Sequence, residues 1–232
     1  MIEVQIMASS SRGNCYRIKS GSSQLLIEAG IPLAQIKRGI NYELGCIDGC
    51  LISHEHMDHA QAAAKLQQAG VELYMSRGTA KALKIDGANY LQDGVRITVG
   101  GFTVLPFKTQ HDAAEPLGFY ISDGEDNLLF ATDTYYINKI FSNVTLLMLE
   151  CNYDLPTLKT NMASGKMTSV QARRLLRSHF SLEHLCVYMR AIDLSAVRQI
   201  WLLHRSALNL DRKRAVDEIK AVTGKVVKMC GE

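Results

Sequence analysis

The run His54-Glu55-His56-Met57-Asp58-His59 constrains this chain more than any other feature. Four potential metal ligands fall within six residues, and imidazole nitrogen together with carboxylate oxygen suits zinc, manganese or iron. Before the run, Ile47 to Ser53 reads as a short apolar strand. After it, Ala60 to Ala69, rich in Ala, Gln, Lys and Leu, reads as a helix. A strand-to-helix handover is a common place for a site in an α/β protein. Side chains alternate along an extended segment, so His54 and His56 leave the strand on one side and can share an ion. Asp58 and His59 are adjacent, point differently and can serve a second.

Two close cations need further donors, and the sequence offers them at separated strand ends. His111 follows Phe107-Lys108-Thr109-Gln110, Asp133 follows Leu128 to Thr132, and His204 follows Ile200 to Leu203. Taken singly, each histidine is ordinarily a surface or hydrogen-bonded residue, and an aspartate before Thr134 is ordinarily a turn or cap residue. Taken together, all three stand at the C-terminal ends of apolar strands, as the first cluster does, and that joint pattern points to metal binding.

Around these positions the chain alternates between strand and helix patterns. Val95 to Val99 with Phe102 to Phe107, and Gly118 to Ser122 with Asn127 to Ala131, read as hairpins. Val144 to Glu150 and Val197 to Leu203 read as buried strands. Thr168 to Ser178, Leu182 to Ala191 and Leu210 to Thr223 carry helical spacing. Asn152 to Lys166 reads as a surface loop able to act as a substrate flap. The expectation is an α/β fold of two mixed sheets with helices outside, formed by residues 1–232 as one domain. A hydrophobic content of 47% leaves room for a substantial core, and the net charge of +3 permits a polyanionic substrate without requiring one.

Met1-Ile2-Glu3-Val4 opens into a strand-like run rather than a signal sequence, and the six cysteines form no CxxC pair. Reduced thiols in a cytoplasmic protein follow from that usage. No apolar run approaches the ~20 residues of a membrane span.

The ligand order His54-x-His56-x-Asp58-His59, His111, Asp133 in Ala131-Thr132-Asp133-Thr134, and His204 in Leu202-Leu203-His204-Arg205-Ser206 resembles the metallo-β-lactamase superfamily over nearly the whole chain. The opening Ala8-Ser9-Ser10-Ser11-Arg12-Gly13-Asn14-Cys15-Tyr16, with Leu26-Ile27-Glu28-Ala29-Gly30-Ile31-Pro32, is similar to its YycJ/WalJ-like, exonuclease-type branch of bacteria and phages. The resemblance implies an αββα sandwich and two divalent ions per chain, zinc or manganese ahead of iron. It places His54, His56 and His111 on one ion, Asp58, His59 and His204 on the other, and Asp133 as the bridge. An aspartate rather than a cysteine at that bridge argues against a β-lactamase and towards the phosphodiesterase-like and glyoxalase-like branches.

Paired cations lower the pKa of a bridging water, provide hydroxide at neutral pH and neutralise an anionic electrophile. A phosphodiester matches this, because its transition state spreads charge over its oxygens. His179, in Arg177-Ser178-His179-Phe180-Ser181, resembles the acid of the tRNA-processing branch and is expected, with Asp58, to act in catalysis. Arg173, Arg174 and Arg177 precede it and are expected to receive phosphates. His184 is read as structural. The expected activity is a metal-dependent phosphodiesterase, an exonuclease acting on nucleic acid. The alternatives are a cyclic-nucleotide phosphodiesterase of phage type, a thioester or lactone hydrolase, and a di-iron redox protein. The spans from His111 to Asp133 and from Asp133 to His204 are too short for the binding arm or accessory domain of larger nucleases. Self-association as a homo-oligomer is therefore expected to extend the binding surface.

Overall fold

The computed structural model of the protein describes residues 1–231. Two compact units emerge, one made of Met1–Lys108 and Ala113–Leu128, the other of Thr109–Asp112 and the chain from Leu129 onward.

In the first unit a six-stranded mixed sheet runs in chain order: β1 (Glu3–Ser10), β2 (Gly13–Ser20), β3 (Ser23–Ile27), β4 (Gly49–Leu51), β5 (Leu73–Ser76) and β6 (Asn89–Leu91). The first three pair antiparallel through tight turns, and β3 to β6 pair in parallel. Parallel pairing requires crossovers, and these contain α1 (Leu33–Gly39), α2 (Met57–Ala60), α3 (Ala63–Gln68) and α4 (Arg77–Leu83). Leu26, Ile36, Ile52, Leu66 and Met75 are fully buried together and form the core beneath that sheet. The helix expected over Ala60 to Ala69 is two helices. The Ala62 amide donates to the Ala29 carbonyl at 2.8 Å, which diverts the backbone between α2 and α3. The hairpin strands β7 (Ile97–Val99), β8 (Phe102–Lys108) and β9 (Leu117–Ser122) follow, antiparallel.

The second sheet has seven strands in the order β13-β12-β11-β10-β9-β8-β7, with β10 at Asn127–Ala131, β11 at Leu146–Glu150, β12 at Gln199–Leu203 and β13 at Val226–Met229. The last three are parallel, and every residue of β11 is buried, as its continuous apolar sequence demands. The helices of the second unit are α5 (Leu155–Ala163), α6 (Ser169–Ser178), α7 (Leu182–Ala191) and α8 (Arg212–Thr223). The fold is thus α/β with two mixed sheets and flanking helices, as expected.

The loop expected over Asn152 to Lys166 is a correction, because it contains α5. Asp154 caps that helix by accepting from the Thr157 amide at 2.9 Å, and Pro156 occupies the first turn, where its missing N–H costs nothing. Leu158 is buried against Tyr153 and Ala172, so the segment is packed rather than a free flap. Among the described residues no helix is long and apolar enough to cross a membrane.

Candidate metal centre

His54 and His56 leave β4 as the alternation predicts, with His54 Nε2 3.1 Å from His56 Nδ1 and the rings edge to face. The Ser53 hydroxyl lies 2.9 Å from His54 Nδ1 and fixes that ring from behind. His56 stands at the N-cap of α2 but makes no capping bond with its side chain. One turn on, His59 is fully buried, with Nε2 3.4 Å from Asp58 Oδ2. Glu28, at the end of β3, is also fully buried. Its Oε2 accepts from the Ser53 amide at 3.2 Å, and its Oε1 lies 3.5 Å from His59 Nδ1. A carboxylate behind a ligating imidazole sets the ring's tautomer and orientation. Asn14 completes the support, donating from Nδ2 to the Asp58 carbonyl at 3.2 Å and lying 3.2 Å from His59 Nε2. Gly30 lets these backbones close up, because a Cβ there would stand 1.7 Å from the Asp58 carbonyl oxygen.

In the second unit, Asp133 follows β10 and His204 follows β12, both buried. His204 Nδ1 is in contact with Asp133 Oδ1 and lies 3.2 Å from Glu150 Oε1. His111 directs Nδ1 to the Ser178 carbonyl at 2.8 Å, which leaves Nε2, 3.5 Å from Asp133 Oδ2, as its ligand atom. Burial outweighs the nearby carboxylates and lowers the His111 pKa, favouring the neutral, ligating form. Glu150 is the hub of this half. Its Oε1 lies 2.6 Å from His179 Nδ1, and its Oε2 accepts from the amides of Thr134 at 3.0 Å and Phe180 at 3.2 Å. Burial alone would raise its pKa, but the His179 charge and hydrogen bonds from His179 and His204 hold it down. The reciprocal effect raises His179 despite its own burial.

In the second unit, Asp133, Glu150, His179 and His204 each offer a donor atom within 4.8 Å of one another. Mixed imidazole and carboxylate donors of this kind fit zinc, manganese or iron. The backbone agrees, because Glu28, Asp133 and His204 have φ of +66°, +46° and +45°, a region that side chains other than glycine rarely adopt. Such conformations cost on the order of 1–3 kcal/mol each and cluster where a side chain must be aimed.

The other expected residues fall as follows. His179 ends α6, with its ring centroid 5.3 Å from that of His111 and 5.4 Å from that of His204. Arg173, Arg174 and Arg177 are exposed on α6, and Arg174 Nε pairs with Asp112 at 2.9 Å, beside His111. His184 is exposed on α7. Glu28 and Glu150 were not anticipated as site residues. Each is a lone acid ending an apolar strand run, so the same strand-end signal that marks Asp133 was present for both.

The sequence profile described as "Beta-lactamase superfamily domain" matches residues 24–204. The chain is 27% identical over 179 residues to the exodeoxyribonuclease WalJ of Streptococcus pneumoniae serotype 2 (strain D39), covering 70% of this chain but 66% of that protein, just under two thirds of its length. It is 24% identical over 225 residues to the exodeoxyribonuclease YycJ of Bacillus anthracis, covering 90% of this chain and 84% of that one. Among solved structures, the metallo-β-lactamase fold protein YhfI of Bacillus subtilis superposes with a TM-score of 0.77 at 18% identity, over 99% of this chain and 96% of that one.

Proposed function

The chain belongs to the beta-lactamase superfamily, and on that footing we propose that this metal-dependent hydrolase is a phosphodiesterase with a dinuclear centre, acting on nucleic acid as an exonuclease. The carrying observation is that each unit gathers strand-end donors of this kind, His54, His56, Asp58 and His59 in one and His111, Asp133 and His204 in the other. In this reading His54, His56 and His111 would hold one divalent ion, zinc or manganese, Asp58, His59 and His204 would hold a second, and Asp133 would be a ligand to both. The likeness to two exodeoxyribonucleases supports nucleic acid as the substrate class. Six free cysteines support a reducing, cytoplasmic setting.

Ions bound there would supply Lewis acidity and a nucleophile drawn from water near neutral pH. The remaining work belongs to the chain's own side chains. His179 is tied through Nδ1 to Glu150, so Nε2 carries the proton for the leaving oxygen. Glu150 stabilises the protonated ring and so keeps the acid charged to higher pH. Asp58, partly exposed beside His59, would be a ligand and would take the proton of the attacking water. Arg173 and Arg177 offer exposed positive charge to neighbouring phosphates, and Arg174 is held by Asp112 at the rim of the His111 loop.

The test loads purified protein with zinc or manganese and offers 5′-phosphorylated duplex DNA, single-stranded RNA, cyclic mononucleotides and a lactone in parallel. Turnover of DNA is expected. His179→Ala should keep its metal and lose about 10²- to 10⁴-fold in rate. Turnover of the lactone alone would overturn the reading, and an unaffected His179→Ala would remove the acid.

A further inference from the structure

A cavity of about 300 Å³ opens between the segment from Tyr135 to Ile140 and helix α7. Its walls are the rings of Tyr135, Tyr136, Tyr188 and His184 with the aliphatic side chains of Ile140 and Val187, and no Asp, Glu, Lys or Arg lines it. Ile140, Val187 and Tyr136 are 69%, 61% and 53% exposed, an uncommon concentration of apolar surface around one hollow. The metal ligands do not require this surface, and His184, read from the sequence as structural, stands exposed on it.

The cavity's walls are fastened to both parts of the chemistry described above. On one side, Tyr135 stands two residues after Asp133, and its amide donates to the Gln110 carbonyl at 3.2 Å, beside His111. Thr134 Oγ1 accepts from the Gln110 amide at 3.0 Å and donates to the Tyr136 carbonyl at 2.8 Å, while the Thr134 amide donates to Glu150. On the other side, the Tyr188 ring meets Phe180 edge to face at 6.3 Å, and Phe180 directly follows His179. Tyr188 is pinned by donating to the Lys139 carbonyl at 3.3 Å. The hollow is thus tied through the backbone to Asp133 and through Phe180 to the residue after His179.

We propose that this cavity is the seat of the nucleobase adjoining the scissile phosphodiester. Its lining, without Asp, Glu, Lys or Arg, suits a flat, neutral ring better than a phosphate. Its volume is at the lower end of small-molecule sites, which suits one base rather than a run of them. Aromatic walls stack on any base face, so the site reads the presence of a base more than its identity. This inference rests on the phosphodiesterase reading, and its test separates the two.

In the first arm, zinc-loaded protein is titrated with 2-aminopurine deoxyriboside 5′-monophosphate, and quenching of the probe's fluorescence by ring stacking is followed without any turnover. Saturable quenching is expected, with Kd raised about 10-fold or more in Tyr136→Ala and in Val187→Trp. Both positions are exposed, so folding is not at issue, and the second variant fills the cavity rather than emptying it. In the second arm, oligonucleotides ending in a normal or an abasic residue are compared. Wild-type protein should prefer the base-bearing end by about 10-fold, with the ratio falling towards one in both variants. Equal cleavage of both ends by wild-type protein, with quenching that neither variant alters, would overturn the base site and leave the phosphodiesterase reading standing. Loss of all phosphodiester turnover, with probe binding still weakened by both variants, would do the reverse.

Discussion

At the scale of single residues, the site is governed by two buried carboxylates that are not among the expected ligands. Glu28 backs His59, and Glu150 backs both His179 and His204. Of the two, Glu150 makes the sharper prediction, because one carboxylate orients the proposed acid and also receives the Thr134 and Phe180 amides. Glu150→Gln keeps the shape and most of the hydrogen bonding but removes the charge. Outer partners of this kind cost about 10- to 100-fold in activity when altered, and a loss of that order is expected in kcat. The pH profile separates a role in positioning the acid from a general loss of structure. Glu150 raises the His179 pKa, and a general acid fails as pH rises through its pKa. The alkaline limb of the rate should therefore move to lower pH in Glu150→Gln. A uniform fall in rate with no movement of that limb would separate Glu150 from the acid.

At the scale of elements, most of the site was legible because its residues stand at strand ends, and strands made of continuous apolar runs are the easiest elements to read. Thus β11 and β12 lie where the sequence places them, and with them His204 and the unanticipated Glu150. What escaped depends on contacts distant in sequence. The break between α2 and α3 exists because Ala62 bonds to Ala29, and nothing within the helical pattern announces it. Helix α5 was hidden by its polar residues and Pro156, although a proline in the first turn after an aspartate cap is itself a start signal. Asp154 does more than cap. Its carboxylate accepts from the Asp211 amide at 2.8 Å and from Arg214 Nη1 at 3.0 Å, tying the starts of α5 and α8 together. Asp154→Ala removes a cap and leaves the partly buried Arg214 short of a partner, for an expected loss of about 3 kcal/mol. Asp154→Asn, which preserves the capping oxygen, should lose about half as much. Urea unfolding of the two variants measures both, and equal losses would show that the cap oxygen contributes nothing.

At the scale of the whole molecule, the donor sets bear on stability as well as on chemistry. Several imidazoles and carboxylates converge in buried positions, and three of the supporting residues hold strained backbone angles, all of it a cost to the folded state alone. An ion that binds the folded chain and not the unfolded one offsets that cost by mass action, contributing about 2.7 kcal/mol when its free concentration is a hundred times its Kd. For a chain of this length each kcal/mol moves Tm by roughly 2–4 °C. Residues 1–232 are proposed to form one domain, a reading supported by the fold match over 99% of the chain, so a single calorimetric transition is expected. Zinc or manganese at that excess should raise it by about 5–10 °C over protein stripped with a chelator. Elemental analysis of the loaded protein should give two ions per chain, and Asp133→Ala, which removes the proposed bridge, should give one or none and lose most of the thermal shift. Two ions retained in Asp133→Ala would remove the bridge from the proposal. A transition indifferent to metal would show that the converging side chains are a polar cluster held by the fold rather than a metal centre.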